Sequence, residues 1–263
     1  MNKNTVTFIQ KLTLAVKNNN SLLCVGLDNP ATFLFQKKVI DATHMYVCAF
    51  KPNSAFYEQH GAKGIAELKK ICSYIQANYQ TIPIILDAKR GDIESTNEAY
   101  AKYAFDYLGV DAITLHPYLG KESLVPFLSR KDKGCIILCK TSNPGAGEIQ
   151  DVVLGKNTFS MHIAQQVLKK WNMNKNCLFV IGATYPKDLA AIRALDKHVV
   201  FLVPGVGTQG GDLGQAVCAG LNENKTGMII SVSRALIEGA RDKKSLTMRA
   251  RELCDQINLY RYS

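Results

Sequence analysis

The sequence predicts an α/β fold in which eight parallel strands alternate with helices in a single-domain (β/α)8 barrel, the TIM barrel architecture. Three observations favour it: the chain has 263 residues, eight short apolar segments recur along it, and helical patterns separate them. Each apolar segment is continuous rather than alternating, which indicates a strand covered on both faces, as parallel strands are. Such an alternation over this length is typical of the barrel. We therefore expect residues 1–263 to form one domain.

The predicted strands are residues 22–27, 45–50, 82–86, 112–115, 135–139, 177–181, 198–203 and 228–232. The predicted helices are residues 58–78, 94–108, 159–171, 187–195, 211–222 and 235–259, with an extra N-terminal amphipathic helix within residues 1–20. A doubly wound open sheet is the main alternative, and it usually carries a G-x-G-x-x-G turn after its first strand. Gly26-Leu-Asp28 does not match that turn, which favours the barrel.

The charge of the chain does not indicate a nucleic-acid partner. Lys and Arg number 32 against 22 Asp and Glu, a formal net charge of +10, but the basic residues are scattered, with no run longer than two. Nucleic-acid-binding proteins concentrate basic charge on one face. No apolar run reaches the ~18 residues that a membrane span needs, and residues 1–20 lack a signal-peptide pattern. An anionic small substrate, or solubility alone, explains the charge, and we expect no membrane association and a cytoplasmic location.

Eight cysteines raise the question of disulfides or zinc. Six of them lie in apolar surroundings and no Cys-x-x-Cys pair exists; these six are Cys24, Cys48, Cys135, Cys139, Cys177 and Cys218. Small buried thiols in a reducing compartment explain this usage. Paired Cys and His spacing of the kind that binds zinc is missing from the sequence, so we expect no metal.

Polar residues follow nearly every predicted strand. They are Asp28 after strand 1, Lys51 and Asn53 after strand 2, Asp87 and Lys89 after strand 3, His116 after strand 4, Lys140, Thr141, Ser142 and Asn143 after strand 5, Gln209 after strand 7 and Arg234 after strand 8. Each could by itself be a helix cap or a solvated rim charge. Because the carboxyl ends of barrel strands meet at one face, their convergence predicts a polar site there.

The stretch from residue 82 to residue 96 is the centre of this site. Its apolar run ends in Asp87 and Lys89, which are two positions apart and therefore point to one side of a strand. Gly91 permits a sharp turn, and we expect Asp92 to begin a helix with Thr96 one turn further on the same face. A surface salt bridge at a strand end is the alternative for the Asp–Lys pair alone.

Two glycine-containing loops, within residues 142–158 and 204–213, have the composition of lids over a site, although ordinary turns have it too. Barrels commonly bind phosphate with the loops after strands 7 and 8. Gly210 and Gly211 let backbone amides approach an anion, and Gln209 and Arg234 can donate hydrogen bonds to it. We predict a phosphate site at these residues.

Five segments carry a specific combination of residues. They are Gly26-Leu-Asp28, Phe50-Lys51-Pro52-Asn53, Asp87-Ala-Lys89-Arg90-Gly91-Asp92-Ile93-(x2)-Thr96, the run 204–211, and Ser231-Val-Ser-Arg234. From about residue 22 to residue 240, in this order, they resemble the motifs of the orotidine 5′-monophosphate decarboxylase family, whose signature is Asp-x-Lys-x-x-Asp-Ile-(x2)-Thr. The Lys140-Thr-Ser-Asn143 segment and the longer loop after it resemble the subgroup called type 2.

A related decarboxylase that acts on 3-keto-gulonate 6-phosphate shares Asp-x-Lys-x-x-Asp but places a metal-ligating glutamate at the end of strand 2. Lys51 stands at that position here. A lysine cannot ligate Mg²⁺ as a carboxylate does. The resemblance therefore favours the nucleotide enzyme, without a metal or another cofactor.

The resemblance implies conversion of orotidine 5′-monophosphate to uridine 5′-monophosphate and CO₂, the last step of UMP biosynthesis. Lys89 would protonate C6 of the pyrimidine, Asp87 would lie against the substrate carboxylate, and Lys51 and Asp92 would complete an alternating Lys-Asp-Lys-Asp array. Interleaved ammonium groups keep two neighbouring carboxylates ionised.

The resemblance also implies a homodimer with shared active sites, because Asp92, Ile93 and Thr96 would reach the site of the neighbouring subunit. Its implied substrate contacts are Asp28 and Lys51 to the ribose hydroxyls with support from Asn53, Ser142 or Thr141 to the pyrimidine, and Gln209, Gly210 and Arg234 to the 5′-phosphate.

Overall fold

The computed structural model describes residues 6–206 and 212–263. Its main sheet has eight strands: β1 (Leu23–Gly26), β2 (Ala49–Lys51), β3 (Ile85–Arg90), β4 (Ala112–Leu115), β5 (Gly134–Lys140), β6 (Cys177–Ile181), β7 (Phe201–Val203) and β8 (Met228–Val232). The order in the sheet is β2-β1-β8-β7-β6-β5-β4-β3, and every neighbouring pair is parallel. Two isolated parallel bridges, Phe50 to Ile84 and Asn53 to Asp87, join β2 to β3 and close the ring. The predicted (β/α)8 barrel is confirmed.

Helices follow the strands around the outside of the barrel. The α-helices are Phe8–Asn19, Phe33–Thr43, Ser54–Glu58, Gly61–Asn78, Glu94–Ala101, Gly120–Leu128, Gly147–Gln150, Phe159–Gln166, Pro186–Leu195, Leu213–Gly220, Arg234–Ile237 and Lys243–Arg261. Phe8–Asn19 is the expected extra N-terminal helix, and Thr7 and Gln10 form a capping box at its start. Within residues 6–206 and 212–263, no helix combines the length and the apolar character needed to cross a membrane.

Several predicted boundaries were wrong for local reasons. The second strand begins at Ala49 rather than residue 45, because His44–Tyr46 form a 3₁₀ turn. The third strand, Ile85–Arg90, runs through the charged residues instead of ending before them. The seventh is only Phe201–Val203.

Two predicted helices are each split in two. The helix expected over residues 58–78 is divided between Ser54–Glu58, which ends at the first residue of that range, and Gly61–Asn78. Gly61, at the start of the second helix, has a φ of 58°, in the left-handed region that glycine adopts most easily. The final helix, expected over residues 235–259, is interrupted before Lys243–Arg261, and Gly239 in the gap has a φ of 74°. Gly211, the predicted start of another helix, lies outside the described residues.

The barrel core is formed by buried apolar side chains from the strands and from the helices around them. Strands β1, β2, β4, β6 and β7 are buried along their whole length, as expected for parallel strands covered on both faces. All eight cysteines are free, and seven are buried. Cys218 is exposed, so the prediction that it lies in the interior was wrong. Burial raises the pKa of the Cys24 thiol to about 12, which keeps it protonated and unreactive at neutral pH.

Candidate active site

An open cavity of about 830 Å³ lies at the carboxyl ends of the strands. Eight of the predicted site residues line it: Asp28, Lys51, Asn53, Asp87, Lys89, Thr141, Ser142 and Arg234. Apolar side chains from β5, β6 and β7 form another part of the wall, namely Leu138, Val180 and Leu202. The cavity therefore combines charged groups from β2 and β3 with an apolar wall, as small-molecule sites commonly do.

Three charged side chains form a connected group at one side of this cavity. The Lys51 ammonium donates to Asp87 Oδ2 at 2.8 Å, and the Lys89 ammonium donates to Asp87 Oδ1 at 2.6 Å. The Lys51 and Asp87 side chains are only 9% and 12% exposed, whereas Lys89 is 49% exposed. One carboxylate is thus held between two ammonium groups, and the Lys89 group remains accessible from the cavity.

The backbone of β3 departs from regular strand geometry where it carries these residues. Its pairing with β4 shifts register between Leu86 and Arg90, and Lys89 has a φ of 46°. A left-handed backbone is uncommon for a residue other than glycine. The Thr114 hydroxyl on β4 accepts hydrogen bonds from the amides of Ala88 and Lys89 at 3.0 and 2.9 Å. The simple alternation assumed from the sequence does not describe how Asp87 and Lys89 meet.

The two buried charges of the group hold each other ionised. Burial alone would raise the pKa of Asp87, but the Lys51 and Lys89 ammonium groups outweigh it and hold that pKa well below its usual range. Burial likewise opposes the charge of Lys51, yet Asp87 and Asp28 raise its pKa above the ordinary value. Asp87 therefore stays a carboxylate and Lys51 an ammonium throughout the neutral pH range.

Asp28 and Asn53 occupy the neighbouring part of the cavity wall. The Ser233 hydroxyl donates to Asp28 Oδ2 at 2.7 Å, while Asp28 Oδ1 has no hydrogen-bond partner within the described residues. Asn53 caps the helix Ser54–Glu58, its Oδ1 accepting from the amide of Ala55 at 3.1 Å. The free oxygen of Asp28 can accept a hydrogen bond from a ligand hydroxyl.

The segment after β5 is braced from inside its own loop. Gln150 accepts from the Thr141 amide and donates to the Thr141 hydroxyl, both at 2.8 Å, and that hydroxyl donates to Asn143 at 2.7 Å. Lys140, which is 1% exposed, pairs with Asp151 further along the loop. The Thr141 hydroxyl therefore uses its only proton within the loop, whereas Ser142 next to it lines the cavity without a side-chain hydrogen bond that would hold it in the loop.

Asp92, Ile93 and Thr96 do not line the cavity of their own chain. The helix begins at Glu94 with Ile93 as its cap, so the prediction that Asp92 begins the helix was wrong. Buried Asn97 holds this segment: its side chain accepts from the Asp92 amide at 3.1 Å and donates to the Asp92 carbonyl at 2.7 Å. The Asp92 carboxylate has no ionic partner among the described residues of its chain, and Ile93 is 63% exposed.

Part of the predicted phosphate site is visible. Arg234 is the first residue of the helix Arg234–Ile237 and lines the cavity. Gln209 and Gly210 lie outside the described residues.

His116, which also follows a strand, packs its ring against Gly91, where an added Cβ would lie 2.6 Å from the ring. In the described ranges no three His, Cys, Asp or Glu side chains cluster as a metal site would require.

Sequence reasoning missed several residues that shape the site, namely Thr114, Gln150 and Asn97. Thr114 offered a weak signal, because it is the one polar residue inside the apolar strand Ala112–Leu115. Gln150 and Asn97 carry no signal in the sequence, since their bonds depend on loop conformations that only the fold defines.

Comparison with known proteins gives a consistent result. Residues 21–248 match the model of the orotidine 5′-phosphate decarboxylase / HUMPS family. An orotidine 5′-phosphate decarboxylase of Janthinobacterium sp. is 42% identical over 271 residues, covering 97% of this chain and 99% of the relative. One from Herpetosiphon aurantiacus is 46% identical over 245 residues, covering 88% and 89%.

Solved structures agree with these relatives. The structure of Leishmania donovani OMP decarboxylase superposes with a TM-score of 0.88 at 41% identity, covering 98% of this chain and 100% of that one. Leishmania donovani UMP synthase gives a TM-score of 0.91 at 43% identity, and the match covers 98% of this chain but only 57% of the synthase. Residues 21–248 contain all five sequence segments of the family resemblance, in order. The cavity lies at the carboxyl ends of the strands, where barrels of this kind have their active sites. The chain therefore belongs to the orotidine 5′-phosphate decarboxylase family.

Proposed function

We propose that Lys51, Asp87 and Lys89 of one chain, together with Asp92 of the partner subunit, decarboxylate orotidine 5′-monophosphate. The reaction follows from the family: the chain is an orotidine 5′-phosphate decarboxylase, which forms UMP in pyrimidine biosynthesis. The proposal concerns the groups that carry it out. The observation that supports it most is the Asp87 carboxylate, held at 2.8 and 2.6 Å between two ammonium groups inside the cavity.

The chemistry requires stabilisation of charge and one proton. As the bond between C6 and the carboxylate breaks, CO₂ leaves and the electron pair stays on C6. That pair lies in the ring plane, outside the π system, where an electron-sink cofactor has little to offer. The Lys89 ammonium donates a proton to C6, which completes uridine 5′-monophosphate, and Lys89 then recovers a proton from water. Asp87 lies against the departing carboxylate. The charged side chains are already fixed in position before the substrate binds, which electrostatic catalysis requires.

The other residues predicted at the site hold the nucleotide. Asp28 and Lys51 bind the ribose hydroxyls, with Asn53 in support, and Arg234 with Gln209 and Gly210 binds the 5′-phosphate. Binding of the distant phosphate can supply energy for closing the loops over the site. The free Oδ1 of Asp28 and the position of Arg234 at a helix start support these roles.

Ser142, rather than Thr141, contacts the pyrimidine. Support comes from Gln150 and Asn143, which already occupy the Thr141 hydroxyl and amide. Ser142→Ala is expected to raise the KM for orotidine 5′-monophosphate about tenfold, as loss of a hydrogen bond does. Thr141→Ser, which keeps the brace, serves as the matched variant and should change KM by less than about twofold. An unchanged KM in Ser142→Ala would contradict the assignment to Ser142.

The functional unit is a homodimer with shared active sites, to which the partner subunit contributes Asp92, Ile93 and Thr96. Support comes from the position of this segment: Asn97 fixes the Asp92 backbone, while the Asp92 carboxylate accepts from the Ile93 amide at 2.7 Å but has no ionic partner among the described residues. Neither Asp92 nor Ile93 lines the cavity of its own chain, and Ile93 is exposed. Exposed Tyr118 and Leu119 follow the adjacent strand β4. These apolar groups suit an interface between copies of the chain.

A metal-dependent decarboxylation of a sugar phosphate is the alternative that the Asp-x-Lys-x-x-Asp motif also allows. Incubation with orotidine 5′-monophosphate in excess chelator tests it: we expect orotate absorbance to fall at the full rate. Inhibition by the chelator that Mg²⁺ reverses would contradict the proposal.

We also propose that residues 1–263 form one domain. We propose further that the protein works in the cytoplasm, since its eight cysteines are free. Quantifying free thiols in protein isolated under acid quench checks the location.

A further inference from the structure

The Thr114 side chain connects β4 to the charged group on β3. It is 1% exposed and lies in the wall of the cavity. Its hydroxyl oxygen accepts hydrogen bonds from two consecutive amides, Ala88 at 3.0 Å and Lys89 at 2.9 Å. The same oxygen lies 3.0 Å from Asp87 Oδ1. One hydroxyl therefore contacts the backbone of Lys89 and the carboxylate between the two ammonium groups.

The direction of the hydroxyl proton follows from counting its bonds. A threonine hydroxyl has two acceptor sites and a single proton. Both acceptor sites are used by the Ala88 and Lys89 amides, so the proton is left to donate to Asp87. Asp87 Oδ1 then accepts hydrogen bonds from the Thr114 hydroxyl and the Lys89 ammonium, while Oδ2 accepts one from the Lys51 ammonium. The carboxylate cannot rotate without losing at least one of these bonds.

The same hydroxyl also supports the unusual backbone of Lys89. A φ of 46° is unfavourable for a lysine and persists only where neighbouring contacts fix it. The bond from the Lys89 amide to Thr114 is such a contact, and it lies at the irregular part of the β3–β4 pairing. Thr114 therefore acts on both the direction of the Lys89 side chain and the orientation of Asp87.

We propose that Thr114 is a positioning residue for decarboxylation, which fixes Asp87 and Lys89 in the geometry required for the transition state without itself contacting the reacting atoms. This inference rests on the proposed roles of Asp87 and Lys89. It assigns to Thr114 an effect on the chemical step rather than on nucleotide binding. A hydroxyl is required, and a methyl group of the same shape does not replace it.

The test compares Thr114→Ser and Thr114→Val. Thr114→Val keeps the shape and removes the hydroxyl, so kcat is expected to fall about 10- to 100-fold, the effect of a lost hydrogen bond to a charged group. Its affinity for UMP, measured by calorimetry, should change less than about threefold. Thr114→Ser should keep kcat within about threefold of the wild type. A folded Thr114→Val protein with wild-type kcat, or an equal loss in Thr114→Ser, would overturn the proposal.

Thr43→Val is the matched control, because Thr43 is also buried and its hydroxyl donates to a backbone carbonyl, Val39, in a helix outside the cavity. It should leave kcat unchanged. If Thr114→Val does not fold, amide hydrogen exchange of Ala88 and Lys89 decides, in the wild type and in Thr114→Ser. Slow exchange supports the bonds to Thr114, and exchange at the rate of an open loop rules them out.

Failure of this inference can be told apart from failure of the proposed function. If Lys89→Ala turns over normally, the proposed roles of the charged group are wrong. If Lys89→Ala is inactive and folded Thr114→Val is fully active, only the role of Thr114 is wrong.

Discussion

The end of β3 and the segment that follows it differ in how much of their environment one chain provides. Asp87 meets Lys51, Lys89 and Thr114 within its own chain, and all four side chains line one cavity. Asp92, five residues later, has its backbone fixed by Asn97, but its carboxylate has no ionic partner in the described part of the chain. The first region therefore has its ionic partners within the described chain and the second does not; we call them the complete and the incomplete region.

This difference shows that a residue can have a fixed backbone position while its side chain still lacks a charged partner. The Asp92 backbone is held by a buried amide that makes bonds to both its N–H and its carbonyl, so its position does not depend on a ligand. Its side chain, in contrast, would be an isolated acidic group if the chain worked alone. A two-fold assembly that inserts Asp92 beside the Lys89 of the partner subunit would give every charge in the array a neighbour of opposite sign.

The largest expected effect is on the complete region. Lys89→Ala removes the proposed proton donor and one of the two ammonium partners of Asp87, so kcat should fall by roughly 10⁴-fold or more, beyond the usual contribution of a general acid alone. UMP affinity should survive within about tenfold, since the phosphate and ribose contacts lie elsewhere. Stopped assays with long incubation measure the residual rate, and calorimetry measures binding.

Lys37→Ala is the matched control for this change. The Lys37 ammonium also lies 2.6 Å from a carboxylate, that of Asp41, but on the helix Phe33–Thr43 outside the cavity. It should leave kcat unchanged. Near-normal turnover by Lys89→Ala would remove the proton-donor role.

The next effect concerns the incomplete region. Lys89→Ala and Asp92→Ala should each be inactive, yet mixing them at equal amounts should restore about a quarter of the wild-type activity, because half of the dimers formed in a C₂ pairing are mixed and one of their two sites is intact. The measurement is specific activity after subunits have been exchanged.

Mixing Lys89→Ala with Asp87→Ala is the control for that experiment. Both changes then affect residues that each chain supplies to its own cavity, so no mixed dimer contains an intact site and no activity should return. If differently tagged subunits are shown to form mixed dimers and the first mixture still stays inactive, the shared site is refuted.

The fold was predictable because its signal is repeated. Eight continuous apolar segments, each covered on both sides, leave few architectures, and the strand order and closure agree with the barrel. Boundaries failed where one residue decides the conformation. Gly61 begins the helix Gly61–Asn78 with a left-handed φ, and apolar periodicity carries no information about such a φ.

The site was predictable to the extent that it depends on strand ends. Asp28, Lys51, Asp87 and Lys89 come together because barrel topology gathers the carboxyl ends of strands. The bonds of Thr114 were not predictable, since they arise from an irregular register between β3 and β4. The Gln150 brace lies in a loop whose conformation no periodicity describes.

The smallest expected effect is on folding stability, and it again separates the two regions. Asp87→Asn leaves the Lys51 ammonium buried without its carboxylate, which should cost about 3 kcal/mol, the scale for breaking a buried ion pair. Because the folded state holds the pKa of Asp87 below its usual range, the stabilisation is present above the unfolded pKa of about 4 and is lost as the pH falls below it. The difference in melting temperature between wild type and variant should therefore be largest near neutrality and shrink below about pH 4. Asp92→Asn, the matched change in the incomplete region, should shift melting far less at every pH; an equal or larger shift would mean that the Asp92 carboxylate contributes as much to stability as that of Asp87.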